Sequence, residues 1–126
     1  MNAPVSSLMQ REVWSIDIDA SIAEVERLFA ERRLSWAPVL ESKRTVIGVI
    51  SAADLMQFNA QARDATSVRA WQLCTYKPIG VGPETPLGDV ARRMVEHQIH
   101  HVIVSDHTGI VGVVSSMDFV RTFARE

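Results

Sequence analysis

Gly48-Val49-Ile50-Ser51-Ala52-Ala53-Asp54 is the stretch that decides the fold, because it returns as Gly112-Val113-Val114-Ser115-Ser116-Met117-Asp118. Each copy ends an apolar run rich in β-branched residues, which predicts a strand. In each copy a serine is followed three residues later by an aspartate, which predicts the N-terminal cap of a helix. The sequence therefore predicts the same strand-to-helix junction twice.

The rest of the chain is duplicated as well. Residues 65 positions apart match through most of its length, among them Leu8 and Leu73, Val25 and Val90, Arg27 and Arg92, and Val39 and Val104. One residue is missing from the second predicted hairpin, and beyond it an offset of 64 aligns the two copies of the quoted stretch. Because the two halves still align beyond this one-residue deletion, the sequence indicates an internal repeat.

Each half predicts the element order β-α-β-β-α. The first helix follows Ser21, with Glu24 in the position of a capping box, and Pro86 suits the first turn of its counterpart. A β-hairpin and the capped helix come after it. A half of about 60 residues buries too little apolar surface alone. We therefore expect an α+β fold, mixed α/β in composition, in which two repeats pack sheet to sheet about a pseudo-twofold axis.

Composition excludes several classes of protein. With 126 residues and 47% hydrophobic residues the chain has enough apolar surface for a core, and its net charge of −2 disfavours a nucleic-acid surface. No apolar run reaches the roughly 18 residues of a membrane span, and residues 1–7 do not resemble a secretory signal. Cys74 is the single cysteine, so no internal disulfide or cysteine metal cluster is expected, which agrees with a cytoplasmic protein.

No catalytic motif is present. The sequence lacks a Gly-x-x-x-x-Gly-Lys phosphate loop, a Gly-x-Ser-x-Gly elbow and a Cys/His metal spacing. We therefore expect no enzymatic activity and no required cofactor or metal.

The two Gly-x-x-Ser-x-x-Asp segments, together with the helix-to-strand segments at 34–39 and 99–104, follow a known pattern. Their order and duplication resemble a tandem pair of CBS domains (cystathionine β-synthase-type domains), also called a Bateman module. The resemblance covers almost the whole chain. It implies one repeat over residues 4–62, a connector over 63–69 and a second repeat over 70–126.

The resemblance implies a regulatory site for AMP, ADP, ATP or S-adenosylmethionine. Carried over by position, the implied ligand-binding residues are Asp54 and Asp118 for ribose hydroxyls, Ser51 and Ser115 for ribose or phosphate, Trp14 and Ile79 for the base, and Lys77, His100 and His101 for phosphate. The first repeat has Ser35 and Trp36 where the family often has basic residues. We therefore expect modest phosphate affinity and one cleft that binds much better than the other.

Each of these residues also has a purely structural interpretation. The Ser-x-x-Asp segments need no ligand if they only cap helices, although the two roles are compatible. The tryptophans at 14, 36 and 71 suit packing, Lys77 suits a solvated charge, and Cys74 suits an ordinary apolar position. His100 and His101 are neighbours on a predicted strand, so they point to opposite faces and disfavour a shared metal ion.

The sequence supports two functional hypotheses. The first is a stand-alone CBS pair that senses an adenosyl ligand and signals to an unidentified partner protein. The alternative is a ligand-free module for protein interaction or dimerisation. Under either hypothesis we expect a homodimer, a disc of four repeats, because the helices that close each half add apolar residues, namely Leu55, Met56, Phe58, Val120 and Phe123.

Overall fold

A computed structural model describes residues 1–76 and 80–125. After a short 3-10 helix at Val5–Ser7, the helices are α1 (Ile22–Arg32), α2 (Ala52–Ala60), α3 (Ala70–Leu73), α4 (Leu87–His97) and α5 (Ser116–Ala124). The strands are β1 (Ile16–Asp17), β2 (Trp36–Glu41), β3 (Thr45–Ser51), β4 (Thr75–Tyr76), β5 (Gly80–Val81), β6 (His101–Asp106) and β7 (Gly109–Ser115). The predicted α+β class is confirmed, with a mixed sheet in each half.

The chain forms two compact units. We call residues 14–76 the Asp54 unit, and residues 1–13 with 80–125 the Asp118 unit. The Asp54 unit has strands in the order β1-β2-β3-β4, and the Asp118 unit has β5-β6-β7. In both sheets the short first strand runs parallel to its neighbour, and the long hairpin beside it is antiparallel. The predicted β-hairpins are thus present in both halves.

The compact units divide the chain differently from the sequence repeats. The first residues of repeat 1 belong to the unit that contains repeat 2, where the Val5 N–H donates to the carbonyl of Thr85 at 2.8 Å. In the Asp54 unit, the Ala70 N–H donates to the carbonyl of Ala20 at 2.8 Å. The segment that begins each repeat thus forms backbone hydrogen bonds with residues far away along the chain. A comparison of the two repeats does not reveal these contacts.

Each unit has its own apolar core. The core of the Asp54 unit includes Ile16, Ile22, Val25, Phe29, Val39, Ile50, Leu55 and Phe58. The core of the Asp118 unit includes Val5, Met9, Val81, Leu87, Val90, Met94, Val102, Val104, Val114 and Phe119. The apolar residues at spacings of three and four on α1 and α4 therefore face inward, as predicted.

The expectation of surplus apolar surface on the closing helices holds only in part. Leu55 and Phe58 pack into the core because they occupy the inward face of α2. Met56, Val120 and Phe123 are exposed. Helix α2 ends at Ala60, and Ala62 takes a left-handed conformation with φ 55°. Within the described residues, none of the helices has the length and hydrophobicity needed to span a membrane.

Candidate functional site

The two Ser-x-x-Asp segments form full capping boxes at the strand-to-helix junctions. In the Asp54 unit, the Ser51 N–H donates to Oδ2 of Asp54 at 2.8 Å, and the Asp54 N–H donates to the Ser51 hydroxyl at 3.2 Å. The corresponding distances between Ser115 and Asp118 are 2.8 and 3.3 Å. The capping prediction is confirmed in both units. Each aspartate carboxylate is therefore held by the backbone N–H of the serine three residues before it.

The glycine three residues before each capping-box serine lies against another segment of the same unit. A Cβ atom on Gly48 would overlap the carbonyl oxygen of Thr75, which belongs to β4. On Gly112 it would lie 2.6 Å from Sδ of Met9 and 3.0 Å from the carbonyl oxygen of Gln10. The absence of a side chain therefore lets the leading segment run across the end of the hairpin, next to the capped aspartate.

The Asp54 carboxylate uses one oxygen for its cap. Its Oδ2 accepts from both the N–H and the hydroxyl of Ser51, at 2.8 and 3.0 Å. From the described residues, Oδ1 of Asp54 receives no hydrogen bond. The nearby thiol of Cys74 is buried, and this burial raises the pKa of the thiol; the charge of Asp54 acts in the same direction. Asp54 itself is half-buried and can still accept hydrogen bonds from another molecule.

The Asp118 carboxylate is more enclosed and has more partners. It is 4% exposed, compared with the half-buried Asp54. Its Oδ1 accepts from the side-chain amide of Gln10 at 3.2 Å and from the guanidinium of Arg121 at 3.5 Å. The two repeats therefore contain the same capping box in different surroundings.

The two histidines stand at the start of β6, the strand paired with β7, and the charge of Asp118 acts on His101. His101 opens β6 and pairs in register with Ser115, while His100 is exposed, with Nδ1 3.4 Å from the Ser116 hydroxyl. Burial lowers the pKa of His101, the neighbouring His100 lowers it further, and the charge of Asp118 opposes both effects. His100 is thus the exposed ring of the pair and His101 the half-buried one.

The aromatic residues serve several different contacts. The guanidinium of Arg32 lies 4.1 Å from the ring centroid of Trp14, so one face of that indole is covered. Trp36 opens β2 and is half-buried, and Trp71 is exposed on α3, where its carbonyl accepts from the Tyr76 hydroxyl. The remaining predicted site residues, Lys77 and Ile79, lie outside the described residues.

Two surface grooves adjoin these residues. One of about 400 Å³ lies in the Asp118 unit and is lined by Met94, Val95, Gln98, Ile99, His100 and Ser116. The other, of about 300 Å³, lies in the Asp54 unit and is lined by Ser15, Ile16, Asp17, Leu40 and Lys43. The described part of the chain brings together no group of three or more His, Cys, Asp or Glu side chains that could hold a metal ion.

Three residues of this region were missed by sequence reasoning. Gln10 and Arg121 contact Asp118, and Arg32 covers Trp14. Arg121 follows Asp118 at helical spacing, which is a signal that could have found it. Gln10 is 108 residues from Asp118, and no local pattern predicts that contact.

The family model for the CBS domain matches residues 5–60 and again residues 68–125, so the chain belongs to the CBS domain family and contains two copies of the domain. An uncharacterized protein of Methanocaldococcus jannaschii is 27% identical over 121 residues, which are 95% of this chain and 39% of that protein. The chain spans 39% and 43% of the length of two uncharacterized proteins of this archaeon that it matches.

Solved structures of the family share the fold. One is the CBS domain of a bacterial CNNM/CorC family Mg²⁺ transporter in complex with ATP, with a TM-score of 0.88 and 23% identity over 98% of this chain and 89% of that chain. Another is a CBS domain pair in complex with 5′-methylthioadenosine and S-adenosyl-L-methionine, with a TM-score of 0.86 and 21% identity over 99% of this chain and 98% of that chain.

Proposed function

We propose that this chain is a regulatory module that binds an adenosine-containing ligand, AMP, ADP, ATP or S-adenosylmethionine, and signals to a partner protein. The observation that carries the proposal is the anchored carboxylate of Asp54. One oxygen is held by Ser51, and the other receives no hydrogen bond from the described residues. An ionised carboxylate oriented in this way can accept hydrogen bonds from the vicinal hydroxyls of a ribose.

Family structures support the choice of ligand class. The two structures described above contain ATP in one case and methylthioadenosine with S-adenosylmethionine in the other. These molecules share an adenosine and differ in what is attached to its 5′ position. Recognition of the shared part, the base and ribose, accounts for both. We therefore propose that adenosine recognition, through Asp54 and Ser51, is the common element here as well.

We expect the contacts of this chain with a ligand phosphate to be weak. Ser35 and Trp36 stand at the start of β2, and His100 and His101 stand at the equivalent place before and in β6. A histidine is only partly charged near neutral pH, and the pKa of His101 is lowered further. We therefore expect a small difference in affinity between ligands with and without a phosphate chain.

Signalling follows from differential affinity. A ligand changes the conformation of the module only if it binds one conformation more tightly than another. By the same linkage, a partner protein that prefers the bound conformation raises the affinity for the ligand. The unidentified regulated partner is therefore expected to change ligand affinity in a binding assay that contains both.

The test is isothermal titration of the purified chain with AMP, ATP and S-adenosylmethionine, alongside thermal unfolding. A ligand at 100 times its Kd adds about 2.7 kcal/mol to the unfolding free energy, a shift of several degrees in Tm. Asp54→Asn should remove this shift. The matched control is Asp106→Asn, an exposed aspartate in the β6–β7 turn whose carboxylate accepts only from Thr108 among the described residues. Binding that is unchanged in Asp54→Asn would overturn the proposal.

A second candidate function is favoured by the apolar surface of the Asp118 unit. Four apolar side chains on α4 and α5 are exposed, namely Val95, Met117, Val120 and Phe123. Spacings of three place the last three on one face of α5. A ligand-free module that forms homodimers through this surface would bury them. Sedimentation tests for the dimer and thermal unfolding tests for ligand binding: a dimer whose Tm no adenosyl ligand shifts supports the second candidate, and a ligand-induced rise in Tm supports the first.

A further inference from the structure

Gln10 is positioned against Asp118 by a backbone bridge. Its N–H donates to the carbonyl of Val113 at 2.8 Å, and the Val113 N–H donates back to the carbonyl of Gln10 at 2.9 Å. This antiparallel bridge holds Gln10 beside β7, from which its side-chain amide reaches Oδ1 of Asp118 at 3.2 Å. A carboxylate only accepts hydrogen bonds, so the NH₂ group of the amide is the part that faces it. Gln10 therefore offers Asp118 the type of donor that a ligand hydroxyl would offer.

The acceptor positions of the two aspartates are unequally filled. A carboxylate has about four lone-pair positions. On Asp118, Oδ2 accepts from Ser115, and Oδ1 accepts from Gln10 and Arg121. On Asp54, both hydrogen bonds from the described residues come from Ser51 and both end on Oδ2. Among the described residues, Oδ1 therefore has donors on Asp118 and none on Asp54.

Substitutions between the repeats account for this difference: Gln57 stands in the place of Arg121, and Thr75 in the place of Gln10. Thr75 is the counterpart of Gln10, at an offset of 65, and it pairs with Val49 as Gln10 pairs with Val113. The side chain of threonine is two atoms shorter than that of glutamine. In the described part of the chain, no hydrogen bond joins Thr75 to Asp54. The donor is thus specific to the Asp118 unit.

We infer that Gln10 makes the two repeats unequal, because its amide occupies on Asp118 the position of a ligand hydroxyl. An inference of this kind rests on the proposed function, since it concerns the same carboxylates. An adenosyl ligand then binds first at Asp54. A second equivalent binds at Asp118 only after the exposed Gln10 side chain leaves Oδ1. Gln10 is thereby a specificity-determining residue that selects the repeat.

The test is titration of the full chain with ATP and with S-adenosylmethionine. We expect one tight equivalent, weakened at least tenfold by Asp54→Asn and far less by Asp118→Asn. Gln10→Ala should add a second equivalent, and Thr75→Gln, which places the donor beside Asp54, should weaken the first. Thr75→Ala is the matched control and should change neither. Binding that depends on Asp118 rather than on Asp54, or a single equivalent in Gln10→Ala, would overturn the inference.

A measurement without ligand tests the contact itself. Gln10→Ala should lower Tm in the wild-type background. It should lower Tm less in an Asp118→Asn background, because the contact between the two side chains is already weakened there. Equal losses in both backgrounds would mean that Gln10 does not act on Asp118, and the inference would fall. If neither probe binds the wild type or Gln10→Ala, the proposed function fails, while the Tm comparison still reports on the contact between Gln10 and Asp118.

Discussion

The backbone of Gly48 lies so close to the carbonyl oxygen of Thr75 that a Cβ atom would overlap it. The same approach occurs in the other unit, where a Cβ on Gly112 would meet the side chain of Met9 and the carbonyl of Gln10. The first glycine of the repeated motif thus has a steric role. Without a side chain at this glycine, the backbone at Thr75 in one unit, and at Met9 and Gln10 in the other, can pass next to the hairpin.

Gly48→Ala should destabilise the protein more than Gly112→Ala. The obstacle at Gly48 is a backbone oxygen, whereas the nearest atoms at Gly112 belong to the flexible side chain of Met9. Overpacking of this kind costs about 1–3 kcal/mol. Urea unfolding of the two variants checks the order. As a control, Gly80→Ala should have little effect, because the nearest atom to its Cβ would be 3.6 Å away. A larger loss in Gly112→Ala would contradict the steric role.

Removal of the cap hydroxyls should cost unequal amounts. The Ser51 hydroxyl both accepts from the Asp54 N–H and donates to the Asp54 carboxylate. Among the contacts of the described residues, the Ser115 hydroxyl only accepts, from the Asp118 N–H. We expect Ser51→Ala to lower the unfolding free energy by about 1 kcal/mol or more, and Ser115→Ala by less. Chemical denaturation without ligand measures both. Threonine at either position should restore most of the stability, and a neutral Ser51→Ala would contradict the capping role.

Stability should fall as pH is lowered through the range in which His101 titrates. Burial lowers the pKa of this histidine below its ordinary value of 6.5, so the unfolded state takes up its proton first. The stability that the folded state gains by keeping His101 neutral is therefore fully present above pH 6.5, and it is lost as pH falls toward the folded-state pKa of His101. Thermal unfolding between pH 5 and pH 8 should show this slope in the wild type. His101→Gln should flatten it, and the exposed His107→Gln should not.

Cys74 should react slowly with thiol reagents in the folded protein. Its side chain is buried, and burial raises the pKa of the thiol, so little of the reactive thiolate forms near neutral pH. We expect modification by a disulfide reagent to be at least about tenfold slower than in urea, where the chain is unfolded. Rapid modification of the native protein would show that this part of the Asp54 unit opens readily.

Substitution of the exposed apolar residues of α5 should shift any self-association. Val120 and Phe123 are 54% and 57% exposed and lie at a spacing of three. If a dimer forms through them, Phe123→Asp should convert it to a monomer in sedimentation at micromolar concentration without lowering Tm. The matched control is Asn59→Asp, the equivalent position of the first repeat, which should leave the association state unchanged. A dimer that persists in Phe123→Asp would place the interface elsewhere.

Local patterns were enough to predict the β-α-β-β-α order of each half, both hairpins and both serine caps, but not the short elements α3 and β4. Caps and apolar periodicity depend on residues three or four positions apart, so these interactions are readable from a short window of sequence. The repeat added the correspondence between the two halves. Asp54 and Asp118 were accordingly found together, as members of one motif, with their cap serines.

The difference between those two aspartates was decided by tertiary structure. Gln10 reaches Asp118 across 108 residues of chain, because residues 1–13 pack with the second repeat. Arg32 likewise covers Trp14 across a helix. Contacts of this kind depend on which segments the core brings together, and no spacing along the chain encodes them. The sequence therefore determined that two similar capped aspartates exist, and the packing of the segments before them determined that their carboxylates have different partners.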